Sequence, residues 1–243
     1  MNASMIDTIY NADCMEHISD IEDESVDLAI LDPNYNDWNY LIKSGLICNV
    51  RRAIKRTGNI ICFTKQPFDF ALRCEINNIF RREIVWTFSN GGAWVSNRMP
   101  LVSHQYIFWC TLSKDFYFNC RTGLPYNEQT KNFKRKNKVF GDYNEEGRQF
   151  QKSTDGVWLR DHLHFNKPNS GKIPAKPKEL IEILIRCFCP IGGVILDPFV
   201  GSGVIEQVAK QQGKHFIGYE IDKNNYYNAL NTIKEGGEYG IQQ

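Results

Sequence analysis

Hydrophobic and polar positions along the chain alternate between two kinds of pattern, short solid apolar runs and longer stretches with a helical period. Asp27-Leu-Ala-Ile-Leu31 is an apolar run stopped by Asp32-Pro33, which predicts a buried strand ending at a turn. Residues 39–56 carry a helical pattern, and Gly58 to Thr64 (GNIICFT) predicts a second buried strand. A helix is expected near Pro67, since proline suits a first helical turn. Glu83–Phe88 and Gln105–Cys110 predict further strands, separated by a loop bearing Gly91-Gly92. From about 119 to 172 the periodicity is lost, and Lys, Asn, Gln and Gly with single aromatics take over. This stretch is read as an insertion on the core, with no strand or helix of the core in it. Order returns at Pro177, where Ile181, Leu184, Ile185 and Phe188 follow the spacing of an amphipathic helix. Val194–Leu196 predicts a short buried strand, 202–212 a helix, His215–Tyr219 a strand and 222–235 a last helix. The alternation points to an α/β fold with a doubly wound, mostly parallel sheet covered on both faces. Residues 1–118 and 173–243 then form one domain, and 119–172 is the insertion.

Composition narrows this picture without changing it. At 243 residues and 42% hydrophobic content, the chain supports one sizeable domain with a small insertion. A net charge of +1 does not mark a nucleic-acid binder, so any such affinity must come from charge placed locally. The eight cysteines (14, 48, 62, 74, 110, 120, 187 and 189) form no C-x-x-C pair and sit mostly among apolar neighbours. Buried free thiols in a reducing cytoplasm are expected, and no metal site. The N-terminus is acidic by residue 7 and has no long apolar run, so neither a signal peptide nor a membrane anchor is expected. The expected location is cytoplasmic.

The unit at 193–222 carries the first chemistry. A predicted strand ends at Asp197, a tight loop Pro198-Phe-Val-Gly-Ser-Gly203 follows, a helix begins at once, and the next strand ends at Glu220. In nucleotide-binding α/β units an acid in that last position accepts hydrogen bonds from ribose hydroxyls. Gly201 and Gly203 let the backbone approach a ligand. The third glycine of G-x-G-x-x-G is absent, its place taken by Glu206, which disfavours pyrophosphate; Asp197 suits a cation better than a phosphate. A nucleoside with a positive, phosphate-free tail fits both facts, and S-adenosylmethionine is such a molecule.

The second constellation is Asp32-Pro33-Asn34-Tyr35, at the carboxyl end of a predicted strand where open α/β sheets bind ligands. An exocyclic base amine is a poor nucleophile because its lone pair is delocalised into the ring. The Asp32 carboxylate and the Pro33 carbonyl can each accept one amino hydrogen, favouring a more tetrahedral nitrogen aimed at an electrophilic methyl group. Such a site acts by positioning and by stabilising developing charge. Tyr35 would stack on a base turned out of the duplex.

Together these motifs resemble the β-class amino-methyltransferases of DNA, which act on adenine N6 or cytosine N4. The tetrad is similar to the family's D/N/S-P-P-Y/F motif, with Asn34 in place of a proline. Asp197-Pro-Phe-Val-Gly-Ser-Gly203 is similar to D-P-F-x-G-S-G, and Gly218-Tyr-Glu-Ile-Asp222 to the acidic motif after it. Lys176-Pro177 resembles the end of H-P-x-x-K-P, and Asn11-Ala-Asp13 the segment that contacts the cofactor's adenine. Trp86 and His104–Trp109 resemble the W…H-E-x-x-x-W region, with Gln105 where glutamate is usual. The order of motifs, tetrad before cofactor loop with an insertion between, resembles the β class, in which the insertion recognises the target.

The resemblance implies a Rossmann-like methyltransferase fold with a recognition insertion. Asp32, Pro33, Asn34 and Tyr35 would be catalytic. Asp13, Lys176, Asp197, Phe199, Gly201, Ser202, Gly203, Glu220 and Asp222 would hold S-adenosylmethionine. In the insertion, Lys131, Lys134, Arg135, Lys136 and Lys138 put five positive charges in eight residues; these would face DNA phosphates, with Phe133 and Phe140 beside an opened base. Trp158, Arg160, His162 and His164 are assigned no role. Double-stranded DNA is the implied partner, and a cognate restriction endonuclease and a homodimer are compatible additions; no membrane partner is implied. Aspartate at the first tetrad position favours N6-adenine as target. N4-cytosine, an RNA target, and a catalytically silent or partner-dependent DNA-binding subunit stay open as alternatives.

Overall fold

The computed structural model describes residues 5–89, 100–124, 156–168 and 175–235. Its elements in chain order are β1 (Thr8–Tyr10), α1 (Cys14–His17), β2 (Val26–Leu31), α2 (Trp38–Lys43), α3 (Leu46–Ala53), β3 (Ile54–Thr64), α4 (Asp69–Glu75), β4 (Phe80–Thr87), β5 (His104–Thr111), β6 (His162–His164), α5 (Lys178–Phe188), β7 (Val194–Asp197), α6 (Val204–Gln211), β8 (His215–Tyr219) and α7 (Lys223–Glu235). The strands form one sheet in the order β1-β8-β7-β2-β3-β5-β4-β6. Among them β5 alone runs against the rest, pairing antiparallel with both β3 and β4. The expected mostly parallel, doubly wound sheet is present.

Every residue of β2 is buried, because its two faces meet different helical layers. Leu28 and Ile30 point into a cluster with α5, α6 and α7, where Ile181, Leu184, Ile205 and Ala229 pack. Ala29 and Leu31 point the other way, to Leu41, Leu46, Val50 and Leu72 of α2, α3 and α4. The same alternation divides Ile61 and Phe63 from Ile60 and Cys62 on β3. A strand buried on both sides reads as a solid apolar run, which is what the pattern at 27–31 shows.

The structure differs from the expected elements in three places. The helix expected over 39–56 is two helices, broken at Gly45 with φ +85, and residues 54–56 already belong to β3. The helix near Pro67 begins at Asp69. β6, expected within the insertion, pairs parallel with β4 as an edge strand of the core sheet. β1 and β6 have three residues each, with one buried position apiece, too few for a period to show.

Before β6 the chain pairs with itself. The Thr122 amide donates to the Val157 carbonyl at 3.0 Å, and the Leu159 amide to Cys120 at 2.8 Å; the Arg121 guanidinium lies 4.1 Å from the centre of the Trp158 ring. The basic run at 131–138, with Phe133 and Phe140, lies outside the described residues. The eight cysteines are unpaired; Cys14, Cys62, Cys110, Cys187 and Cys189 are buried, whereas Cys48 and Cys74 are exposed. Among the described residues no helix is long and apolar enough to cross a membrane.

Asp27 ties three strands together at the opposite end of β2 from the tetrad. Its Oδ2 accepts from the Lys55 ammonium at 2.8 Å and from the Val194 amide at 2.9 Å. Asp27→Ala leaves the Val194 N–H buried without an acceptor, so equilibrium unfolding in urea should show a loss of about 1–3 kcal/mol; Asp27→Asn, which keeps an acceptor, should lose less.

Candidate active site

β2, β7 and β8 are parallel neighbours, pairing Leu28 with Ile195 and Asp197 with Gly218. Their carboxyl ends therefore lie side by side, and each delivers an acid: Asp32 after β2, Asp197 at the end of β7, Glu220 after β8. This edge of an open α/β sheet is where ligands bind.

Backbone donors shape the loop after β7. The Phe199 amide donates to Asp197 Oδ1 at 2.9 Å, and the Gly201 amide to Glu220 Oε2 at 2.8 Å. The other Glu220 oxygen accepts from the Asp222 amide at 2.8 Å. Glu220, expected to meet ribose hydroxyls, thus also staples the glycine loop to the end of β8, with one lone pair per oxygen left over. Gly203 has φ +78, and a Cβ there would meet Ala229 of α7 at 2.8–2.9 Å, so this glycine answers to packing and backbone shape together. Gly201 is different: a Cβ there would meet only the Phe199 carbonyl, at 3.8 Å, leaving its flank open beside the acids. Phe199 is half-buried against the core, and Ser202 is half-exposed.

The flanking expected residues also serve as caps. Asp13 is the N-cap of α1 and accepts from the Met15 amide at 2.9 Å. Asp222 accepts from the Asn224 and Asn225 amides at 2.8 and 2.9 Å at the start of α7. Asn11, two residues before Asp13, donates through its side chain to the Glu220 carbonyl at 2.8 Å. Open backbone at Gly201 and carboxylates from three strands fit a ligand with a nucleoside body and a cationic tail.

In the tetrad, Asn34 stands where the D/N/S-P-P-Y/F motif has a proline. Asn34 sits at φ −59 and ψ 121, within the φ range that a proline ring imposes, and its side chain is exposed. Asn34 therefore adopts, without a ring, the φ that a proline would impose. The Tyr35 hydroxyl lies 3.3 Å from Asp32 Oδ1 and 3.0 Å from Gln105 Oε1 on β5. With one proton it donates to one of these at a time, and a rotated Gln105 amide would donate in return. Burial first, then the Asp32 charge, pushes the Tyr35 phenol well above its ordinary value.

Lys176 lies at the tetrad. Its ammonium pairs directly with Asp32 Oδ2 and lies 4.9 Å from the centre of the Phe63 ring and 5.6 Å from that of Tyr35. Two acids expected to serve different ligands, Asp32 and Asp197, are close enough for the Asp32 charge to raise Asp197; Lys176 sits at this boundary. Lys65, Phe63 and Lys167 also gather here and carried no signal in the sequence. Their segments are far apart along the chain, and each residue type is ordinary in its own place.

A family model described as DNA methylase, of the N6/N4 type, matches residues 3–231. The chain belongs to that DNA methylase family. Among its relatives, the Type II methyltransferase M1.MboII of Moraxella bovis is 27% identical over 256 residues, covering 94% of this chain and 96% of that one. The DNA adenine methyltransferase YhdJ of Escherichia coli (strain K12) is 23% identical over 261 residues, covering 97% and 85%. In fold, the methylase is similar to M1.HpyAVI solved as a complex with SAM (TM-score 0.67, 22% identity, 93% of this chain and 98% of that chain). It is also similar to the cytosine-N4-specific PvuII DNA methyltransferase (TM-score 0.69, 13% identity, 97% and 88%). The family is S-adenosylmethionine-dependent, and S-adenosylmethionine is the cofactor of this methylase.

Behind the cofactor loop the methylase buries a carboxyl that no expectation covered. Glu206, on the first turn of α6, is fully buried, as is Asp197. Among the described residues, Asp197 Oδ2 and both Glu206 oxygens meet no hydrogen-bond donor while both groups are ionised. One shared proton resolves this. Burial raises both groups, Asp197 to about 7 and Glu206 well above its ordinary value, and the hydrogen bond between them lowers Asp197 and raises Glu206, so Glu206 carries the proton and donates it to Asp197. Both carboxyls bind a proton more tightly folded than unfolded, so each contributes stability that is full at acid pH and is lost as pH rises, that of Asp197 through about 7. Melting temperature should therefore fall as pH is raised across that value, and Glu206→Gln, whose amide donates at every pH, should flatten the slope. An unchanged slope in the variant would remove the shared proton.

Proposed function

We propose that the methylase transfers the methyl group of S-adenosylmethionine to adenine N6 in duplex DNA, on a base turned out of the helix. The observation that carries this is the side-by-side placement of the Asp32 tetrad and the Asp197–Gly203 loop on adjacent parallel strands. A base amine held by the first lies against a nucleoside cation held by the second.

Bound S-adenosylmethionine supplies an electrophilic methyl group on a sulfonium. Asp197, Phe199, Gly201, Ser202, Gly203, Glu220, Asp13 and Asp222 line its side of the site, where carboxylates complement a cationic tail. Asp32 and the Pro33 carbonyl each accept one hydrogen of the target amine and so draw its lone pair out of conjugation. As the new N–C bond forms, the nitrogen becomes cationic, and the Asp32 carboxylate stabilises that charge before it or a water takes the departing proton. The Tyr35 ring packs against the base, and its hydroxyl, held between Asp32 and Gln105, fixes the ring plane. Lys176 acts on Asp32 as a positioning residue: a carboxylate that already accepts the lysine and the tyrosine has one orientation in which to meet the amine.

Aspartate in the first tetrad position and the adenine-specific relative YhdJ support adenine. The N4-cytosine reading is the alternative, because an enzyme of that specificity shares the fold. The Type II relatives support a cognate restriction endonuclease as partner; the basic run Lys131–Lys138 supplies phosphate contacts in this reading.

Incubation with tritiated S-adenosylmethionine and unmethylated duplex DNA, followed by digestion to nucleosides, should place label in N6-methyladenine. Label in N4-methylcytosine would move the target, and no label would overturn the enzyme reading. Asp32→Ala should abolish transfer while cofactor affinity stays unchanged by calorimetry. Lys176→Met should lower kcat by about 10²-fold at unchanged cofactor affinity; a loss of cofactor affinity instead would assign Lys176 to the cofactor.

A further inference from the structure

Gln105 reaches the tetrad from a separate element, and its amide resolves a conflict that the tetrad by itself does not. It stands on β5 in register with Trp86 of β4. Strand alternation puts it on the same face as Ile107 and Trp109, whose side chains pack in the core. The sheet therefore fixes where its amide can reach. The Tyr35 hydroxyl lies 3.0 Å from the Gln105 side-chain oxygen and 3.3 Å from Asp32 Oδ1, and Tyr35 and Gln105 are both half-buried.

One hydroxyl proton thus faces two oxygens, and an ionised carboxylate can only accept. If the Gln105 oxygen takes the proton, the phenol oxygen and Asp32 Oδ1 meet lone pair to lone pair. If Asp32 takes it, the same conflict falls between the phenol and the Gln105 oxygen. Turning the amide about its last bond removes both conflicts. Its Nε2 then donates to the phenol oxygen, and the phenol donates to Asp32. The two ends of an amide are close in size, so the turn needs no repacking. The bond to the anion is charge-assisted and the stronger of the two on offer. Burial, the Asp32 charge and the hydrogen bond to Asp32 all raise the Tyr35 phenol, as expected of a proton held toward that carboxylate.

Lys176 pairs with the other oxygen, Asp32 Oδ2. Asp32 then accepts from Tyr35 on one oxygen and from Lys176 on the other, with a lone pair left on each. Asp197 is the further acid close enough to feel the Asp32 charge.

We infer that Gln105 is a positioning residue for Asp32: its amide donates to Tyr35 and Tyr35 donates to Asp32, so the tetrad carboxylate meets the target amine ionised and in one orientation. This rests on the methyl-transfer reading above and adds to it a residue of β5 that acts through Tyr35. An amide keeps its donor at every pH. A glutamate in the same place would accept, and would draw the Tyr35 proton away from Asp32.

The rival role, a mere buttress for the Tyr35 ring, predicts the opposite order of variants. Tritium transfer from S-adenosylmethionine to unmethylated genomic duplex DNA is measured with the full chain over a range of pH. Gln105→Glu should lower kcat by about 10-fold, the scale of one hydrogen bond to a charged group. It should also move the acid limb of kcat to higher pH, because a carboxylate that has lost a donor is protonated more readily. Gln105→Met leaves Tyr35 able to donate to Asp32, so it should cost about 3-fold and keep the acid limb in place. Cofactor affinity by calorimetry should be the same in both variants. In a Tyr35→Phe background, Gln105→Glu should move the limb no further, since the proton it redirects is gone.

A second readout needs no DNA: in isotope-labelled protein, nuclear Overhauser contacts should join the Gln105 side-chain amide protons to the Tyr35 ring protons beside the hydroxyl. Amide protons turned away from Tyr35, or a loss in Gln105→Met greater than in Gln105→Glu, would overturn the chain of bonds and leave the methyl-transfer reading standing. A limb shift that persists in full in the Tyr35→Phe background would replace the chain with direct repulsion between two carboxylates. Failure of the wild type to methylate DNA would overturn the methyl-transfer reading, and the positioning role with it.

Discussion

Parallel pairing between β2 and β7 joins two strands that are distant in sequence, and the chemistry of the methylase depends on that contact. At one end it is locked by Asp27, which accepts the Val194 amide at 2.9 Å and holds Lys55 of β3 as well. At the other end the same register sets Asp32 beside the loop that opens at Asp197. Both strands are buried on two faces, so a slip of one residue would turn core side chains toward the wrong layer. The spacing between the Asp32 and Asp197 carboxylates is therefore inherited from the core.

Charge is sorted across this junction. Asp197, Glu206 and Glu220 lie around the ends of β7 and β8, Lys65 and Lys176 lie near Tyr35, and the Asp32–Lys176 pair stands between. These acids are tolerated because backbone amides serve Asp197 and Glu220 and a proton serves Glu206. A cationic ligand gains from carboxylates held this way, since their orientation was settled when the loop folded. The ammonium groups of Lys65, Lys167 and Lys176 lie over the rings of Tyr35, Phe63 and Phe88.

Asn34 keeps a proline-like φ without a proline ring. A proline would set φ through its ring; here the 3-10 turn at Tyr35–Asp37 does so, with the Asp37 amide bonded to the Asn34 carbonyl at 2.9 Å. Asn34 is exposed. The backbone course of the tetrad is set by hydrogen bonding downstream of it.

The sequence by itself determined the solid apolar runs of β2, β3, β7 and β8, the amphipathic α5, and the two motifs at Asp32 and Asp197, because each depends on neighbours close in the chain. It placed Gly201, Gly203 and Glu220 in one loop-and-strand unit for the same reason. Tertiary structure alone decided that Lys176 meets Asp32, that Gln105 on β5 reaches Tyr35, and that Glu206 shares a buried space with Asp197. It also decided that three-residue β1 and β6 are strands at all, since their pairing partners, β8 and β4, lie far away in sequence. Local periodicity records which face of an element is buried; which charged groups meet across elements is fixed only when the sheet order and register bring those elements together.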